Sequence, residues 1–147
     1  MKKLIAFVLA LVCVIGLVGC GQQEQNEPNN NNDNIEWVDG IAFVELAPAA
    51  EAKSSDEITI TGANAKFAYS ITYGRAGLTL EFGLIAVDGT EYVKEIIGGG
   101  EMGYIENIPA GTYYLVVRNS GDYTNLPSYQ NGAESYNATG ALNYSVE

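Results

Sequence analysis

From Ile35 onward the chain is a succession of short stretches in which apolar side chains recur at every second position, each stretch closed by glycine, proline or an Asp-Gly pair. A period of two sends alternate side chains to opposite faces of an extended strand, so each stretch can bury one face and leave the other near water. Residues 66–72 alternate Phe67, Tyr69 and Ile71 with Lys66, Ala68, Ser70 and Thr72, and Gly74-Arg75-Ala76-Gly77 then turns the chain. Residues 78–87 place Leu78, Leu80, Phe82 and Leu84 on one face, with Thr79, Glu81 and Gly83 opposite. Asp88-Gly89 signals a hairpin, because both residues tolerate positive φ. Its return strand spans residues 91–97, and Gly98-Gly99-Gly100 ends that strand by flexibility rather than by shape.

Residues 102–108 form a shorter strand, and Pro109-Ala110-Gly111 reads as a tight turn with proline presetting φ. The most strand-like stretch is 112–118. Tyr113, Leu115 and Val117 share one face and Tyr114, Val116 and Arg118 the other; both faces are substantially apolar, which predicts a central strand. Residues 141–146 alternate Leu142, Tyr144 and Val146 and should close a sheet at the C-terminus. Upstream, residues 41–46 and 57–61 read as strands, with residues 48–55 between them as a loop or a single helical turn. About eight strands in residues 35–147 predict an all-β fold, an antiparallel β-sandwich with jelly-roll-like topology, an immunoglobulin-like topology being the alternative. The 17 glycines, and 10 tyrosines against 4 phenylalanines, agree with a turn-rich β architecture.

The stretch Ile108-Pro109-Ala110-Gly111-Thr112-Tyr113-Tyr114-Leu115-Val116-Val117, after the strand start Ala76-Gly77-Leu78-Thr79-Leu80, resembles the bacterial pre-peptidase C-terminal domain family. That resemblance implies a small secreted β-sandwich of the kind appended to extracellular proteases and related to collagen-binding modules. It spans roughly residues 65–146 by its strand and turn signals. Two departures stand out: Tyr144 is displaced from that family's closing strand pattern, and no catalytic domain is attached.

The other end of the chain carries a different signal. Lys2 and Lys3 precede 16 uncharged, overwhelmingly apolar residues, 4–19, the physical form of a signal peptide. A permanent transmembrane helix needs roughly 20 such residues. Leu17-Val18-Gly19-Cys20 follows at the right place and resembles the lipobox of bacterial lipoproteins. The resemblance implies cleavage before Cys20, a diacylglycerol on its thiol and an acylated mature N-terminus, with two chains giving stable anchoring where one is marginal. The expected organisation is therefore a signal peptide over 1–19, a lipidated cysteine and disordered Asn/Gln-rich linker over 20–34, and one β-sandwich domain over 35–147. The expected location is the cell envelope, on the extracytoplasmic side of a bacterial membrane. As a flexible coil, the fourteen residues 21–34 would have an end-to-end distance of about 20 Å.

Charge and composition narrow the chemistry. The formal charge is -11; removing Lys2 and Lys3 with the leader leaves five basic against 18 acidic residues, a net of -13. Such a field disfavours nucleic acid and anionic lipid headgroups as partners. The two cysteines, Cys13 and Cys20, both precede the domain, so no disulfide can staple it. Histidine is absent, which removes the commonest general base and the usual imidazole ligand.

No motif orients a pair of carboxylates, so a carboxylate-based hydrolase is the least favoured reading, although Glu81 is unusual in interrupting an apolar strand. Calcium is a weak candidate cofactor through Asp88, Glu91, Asp122 and Asn125 in or beside predicted loops, but no Asp-x-Asp-x-Asp-Gly run exists and the same residues serve as turn-formers. Asn137-Ala138-Thr139 and Asn143-Tyr144-Ser145 match the N-glycosylation triplet, which a bacterial lipoprotein would not normally use. The best candidate for a ligand site is the long polar segment 119–139 with Tyr123, Tyr129 and Tyr136, whose rings offer rigid contact area with a polar tip. Those rings could equally pin the loop to the sandwich. The function expected is a non-catalytic, membrane-tethered binding or adhesion module for a glycan, peptide or matrix ligand, acting as a monomer. An accessory envelope lipoprotein working through a protein partner is the alternative.

Overall fold

The computed structural model describes residues 35–132 and 135–147; the leader, Cys20 and the linker lie outside the described residues. In chain order the strands are β1 (Val38–Leu46), β2 (Glu51–Lys53), β3 (Ile58–Ile60), β4 (Ala65–Tyr73), β5 (Thr79–Ala86), β6 (Glu91–Ile97), β7 (Gly100–Ile108), β8 (Gly111–Asn119) and β9 (Ala138–Val146). One helical turn, α1 (Pro127–Gln130), lies in the β8–β9 loop.

The Asp88-Gly89 turn organises all of this. Gly89 takes a φ of 89° and gives its N–H to the Ala86 carbonyl, while the Asp88 carboxylate accepts the Thr90 N–H. Around that tip the pairs nest: β5 with β6, β4 with β7, β2 and β3 with β8, and β1 with β9, all antiparallel. The chain is thus one long hairpin doubled about Asp88-Gly89 and rolled into two sheets. One has the order β1-β9-β4-β7; the other has the order β2-β8-β5-β6, with β3 on the same edge of β8 as β2. This nesting is the jelly-roll topology. The strand count is nine rather than eight because one edge strand is broken into β2 and β3.

The core lies between the sheets and has the phases that alternation predicts. Phe67, Tyr69 and Ile71 of β4 meet Leu80, Phe82 and Leu84 of β5 and Tyr113, Leu115 and Val117 of β8, all buried. Tyr69 and Phe82 join the two sheets edge to face, with ring centroids 4.8 Å apart. β8 is central, held by β5 on one side and by β2 and β3 on the other.

Three local expectations are corrected. Residues 48–55 are not merely a loop, because Glu51–Lys53 pairs with Val116–Arg118 as an edge strand. β9 begins at Ala138 and runs between β1 and β4 rather than closing an edge. Its early start includes Gly140, where a Cβ would sit 2.1 Å from the Thr72 carbonyl oxygen, so only glycine lets the strands approach there. Residues 98–100 do more than end a strand: Gly98 and Gly100, at φ of 140° and 152°, carry the chain from one sheet to the other in two steps.

Candidate functional site

The two ends of the sandwich differ. β1 has nine residues and spans about 26 Å, so Val38, where the chain enters, and Leu46 lie at opposite ends. The β1–β2 and β8–β9 loops share the Leu46 end.

There, Asn119 continues the inward phase of Tyr113, Leu115 and Val117 and is completely buried. Its Nδ2 donates to the Leu46 carbonyl at 3.0 Å and to the Tyr136 carbonyl at 2.7 Å, and its Oδ1 accepts the Tyr123 hydroxyl at 3.1 Å. The Tyr123 oxygen also accepts the Thr79 N–H at 2.8 Å. One carboxamide therefore ties the β1–β2 loop to both limbs of the β8–β9 loop. Sequence reasoning placed Asn119 in a polar loop and missed it.

The three tyrosines do come together, in unequal roles. Tyr123 and Tyr136 are buried and stack with centroids 4.6 Å apart; Tyr129, 36% exposed, meets Tyr136 edge-on at 5.7 Å. The Tyr136 hydroxyl bonds the Ser128 hydroxyl at 2.8 Å. The Arg75 guanidinium lies 4.3 Å from the Tyr136 ring centroid and donates to the Ser135 carbonyl. Tyr123 and Tyr136 thus form a small core beneath the loop, while Tyr129 presents its ring at the surface. It borders a cleft of about 350 Å³ that is also lined by Pro48, Ala49, Gly121, Asp122 and Tyr123.

A second cleft, of about 410 Å³, lies at the other end between the β5–β6 and β7–β8 turns. Although larger, it is lined by no exposed aromatic ring. Tyr113 is buried, gives its hydroxyl to the Pro109 carbonyl at 2.7 Å and packs edge-on against Tyr92, while Asp88 Oδ1 accepts the Thr90 N–H.

The calcium candidates are spread across the fold. Asp88 sits at the hairpin tip, whereas Asp122 and Asn125 sit in the loop at the opposite end. Glu91 is bound to Arg118, at 2.7 and 2.9 Å. Among the described residues no three His, Cys, Asp or Glu side chains gather as metal ligands.

Two ionic clusters escaped the sequence reading. On the outer face of the second sheet Arg118 bonds Glu51 at 2.6 Å and Glu81 at 2.7 Å as well as Glu91, which explains why Glu81 interrupts its strand. The three carboxylates, Glu91 foremost, hold the guanidinium proton still more tightly than usual. At the open edge between β6 and β7, Lys94 donates to Glu101 and to the Tyr69 hydroxyl, each at 2.5 Å, and Tyr69 donates to Glu101 at 2.7 Å. Both charges are on core-facing positions of edge strands, a placement that discourages further strands from pairing there. Lys94 holds the Glu101 carboxyl below the usual glutamate range, while burial raises the Tyr69 phenol. Asp88, Glu91 and Asp122 are likewise shifted downward by their hydrogen-bond donors, to the ionised state suited to pairing rather than proton donation.

No protein-family model matches the sequence, and no curated protein is significantly similar to it. No helix among the described residues is long and apolar enough to cross a membrane.

Proposed function

We propose that the protein is a lipid-tethered, non-catalytic binding module whose ligand site is the loop-end cleft beside Tyr129. The observation that carries this reading is the position of an exposed aromatic ring over a cleft at the end of the sandwich remote from Val38. In this reading Cys20 is acylated and residues 21–34 serve as the linker to the domain. The carboxylates with shifted pKa values all move downward, which supports binding over acid catalysis. The pre-peptidase C-terminal resemblance, carried by residues 108–117, agrees with a secreted accessory module, and the jelly roll is compatible with it.

The test separates the tyrosines. Tyr129→Ala should abolish saturable binding to the cognate glycan, peptide or matrix protein and leave the melting temperature nearly unchanged. Tyr123→Ala and Tyr136→Ala should lower the melting temperature. Equal destabilisation by all three, with binding intact in Tyr129→Ala, would refute the site.

The alternative, an accessory lipoprotein acting through an envelope protein, is favoured by the outer face of the first sheet. There Met102 and Tyr104, both exposed, lie beside Ser70 and Ala68, with Asn143 and Ser145 on the next strand. Surface cross-linking through that face, unaffected by Tyr129→Ala, would select it.

A further inference from the structure

We propose that the loop-end cleft receives a cationic side chain of a basic peptide, its ammonium or guanidinium group lodged between the Asp122 carboxylate and the Tyr129 ring. The inference rests on the reading of this cleft as the binding site and names the chemistry it selects.

Asp122 is the only charged residue lining the cleft among the described residues. Its Oδ1 takes both the N–H and the hydroxyl of Thr124, at 3.0 and 2.6 Å. Its Oδ2 makes no hydrogen bond within the described residues. The two Thr124 donors keep the carboxyl ionised and fix its orientation while leaving one oxygen for a ligand.

Among the described residues no Lys or Arg pairs with it, and each has contacts elsewhere. Lys53 sits 4.3 Å from the Tyr114 ring centroid, Lys66 pairs with Glu106 at 3.7 Å, and Arg75 covers Tyr136. Lys94 pairs with Glu101, and Arg118 with three glutamates. A negative carboxylate beside an aromatic face, inside a strongly negative domain, is complementary to a positive group and to little else of comparable size.

The same loop already contains an internal instance of that recognition. Tyr136 has two faces: Tyr123 stacks on one, and the Arg75 guanidinium occupies the other at 4.3 Å. Tyr129, the third ring of the cluster, is exposed and lines the cleft together with Asp122, where a cation from another molecule can reach it.

The test is an amide-shift titration of the full chain in detergent micelles at about 0.15 M salt, where diffuse surface attraction is largely screened. The probes are capped pentalysine, pentaglutamate and the neutral sugar chitohexaose. Pentalysine should move the amides of Gly121, Asp122, Tyr123, Thr124 and Tyr129 saturably, and pentaglutamate should move none. Asp122→Asn and Tyr129→Leu should each weaken pentalysine binding about tenfold, within the range for a lost cation–π contact or charge pair. Asp88→Asn, at the other end of the domain, should leave it unchanged. Asp122→Asn retains an acceptor for Thr124, so it remains informative if Tyr129→Leu fails to fold. Equal weakening by Asp122→Asn and Asp88→Asn would reduce the effect to net charge and overturn the proposal. Chitohexaose moving those amides while pentalysine does not would overturn the cationic ligand and keep the cleft as the binding site. If neither moves them, both readings fall.

Discussion

Replacing Asn119 by alanine should destabilise the domain by about 4–6 kcal/mol. Asn119 is completely buried and makes three side-chain hydrogen bonds, to the Leu46 and Tyr136 carbonyls and from the Tyr123 hydroxyl. At about 1 kcal/mol net for each, their loss costs about 3 kcal/mol, and buried polar partners left unmatched add about 1–3 kcal/mol more. That is a large share of the roughly 5–15 kcal/mol that holds a domain of this size together. Urea denaturation followed by near-ultraviolet tyrosine signal reads the change as a lower midpoint with an unaltered slope. Two companion variants sharpen the reasoning. Tyr123→Phe removes only the bond to Asn119 and the acceptor for Thr79, and should cost about 1–3 kcal/mol. Asn119→Asp keeps the acceptor for Tyr123 but turns a carboxylate oxygen toward two carbonyls. Its buried carboxyl should therefore have a raised pKa, and its deficit relative to the parent should shrink as pH falls through that raised value, because the protonated acid regains one donor. A loss below about 1 kcal/mol for Asn119→Ala, or a pH-independent deficit for Asn119→Asp, would refute the three-loop tie.

Leu115→Ala should cost about 2–5 kcal/mol, since the side chain is 2% exposed between the sheets, and a silent result in thermal melts would mean that the phase of β8 is misassigned. Cys20→Ser should abolish incorporation of a fatty-acid analogue and leave uncleaved precursor; equal label on mutant and parent would sink the lipoprotein reading. The lowered pKa values of Glu91, Glu101, Asp88 and Asp122 make their contribution to stability complete above the ordinary carboxylate values of 4.5 and 3.8 and lost as pH falls through the lowered ones. The urea midpoint should therefore decline on acidification from about pH 5, and a midpoint flat down to about pH 3 would contradict the ion pairs.

Most of the architecture was readable because burial on one face leaves a period-two imprint. β4, β5 and β8 have their apolar residues where alternation placed them, and the Asp-Gly pair marks the tip from which the whole jelly roll is doubled. The pieces that escaped lack that imprint. Glu51–Lys53 has a polar-apolar-polar sequence and is a strand only because β8 offers it an edge; pairing with a central neighbour overrides weak local preference. The start of β9 was hidden by Gly140, a residue that reads as a loop signal but is required by the close approach of Thr72 and Phe43. Lys94 and Glu101 look like solvent-facing charges in the sequence. Lys94 faces the core because it pairs with Phe82, and Glu101 because it pairs with Ile71; only the sheet crossing at residues 98–100 brings the two together, and no local pattern encodes it.

The candidate site was half legible, and the missing half shows where the signal lay. The segment holding Tyr123, Tyr129 and Tyr136 was recognisable as a long aromatic loop, yet nothing local told the three rings apart. What separates them is Asn119, and its position was implicit in the strand phase. If Tyr113, Leu115 and Val117 face inward, so does residue 119, and an asparagine on a core-facing position must find several hydrogen-bond partners or not be tolerated there. The nearest groups able to serve are the backbone of the loops that flank the strand end and a hydroxyl four residues later, that of Tyr123. Drawing Tyr123 inward carries its stacking partner Tyr136 with it, and the ring that remains, Tyr129, is left at the surface beside Asp122. One buried amide thereby divides the loop into an anchoring half and an exposed half, so a substitution at Asn119 should disturb the cleft as well as the fold, whereas one at Tyr129 should disturb the cleft alone.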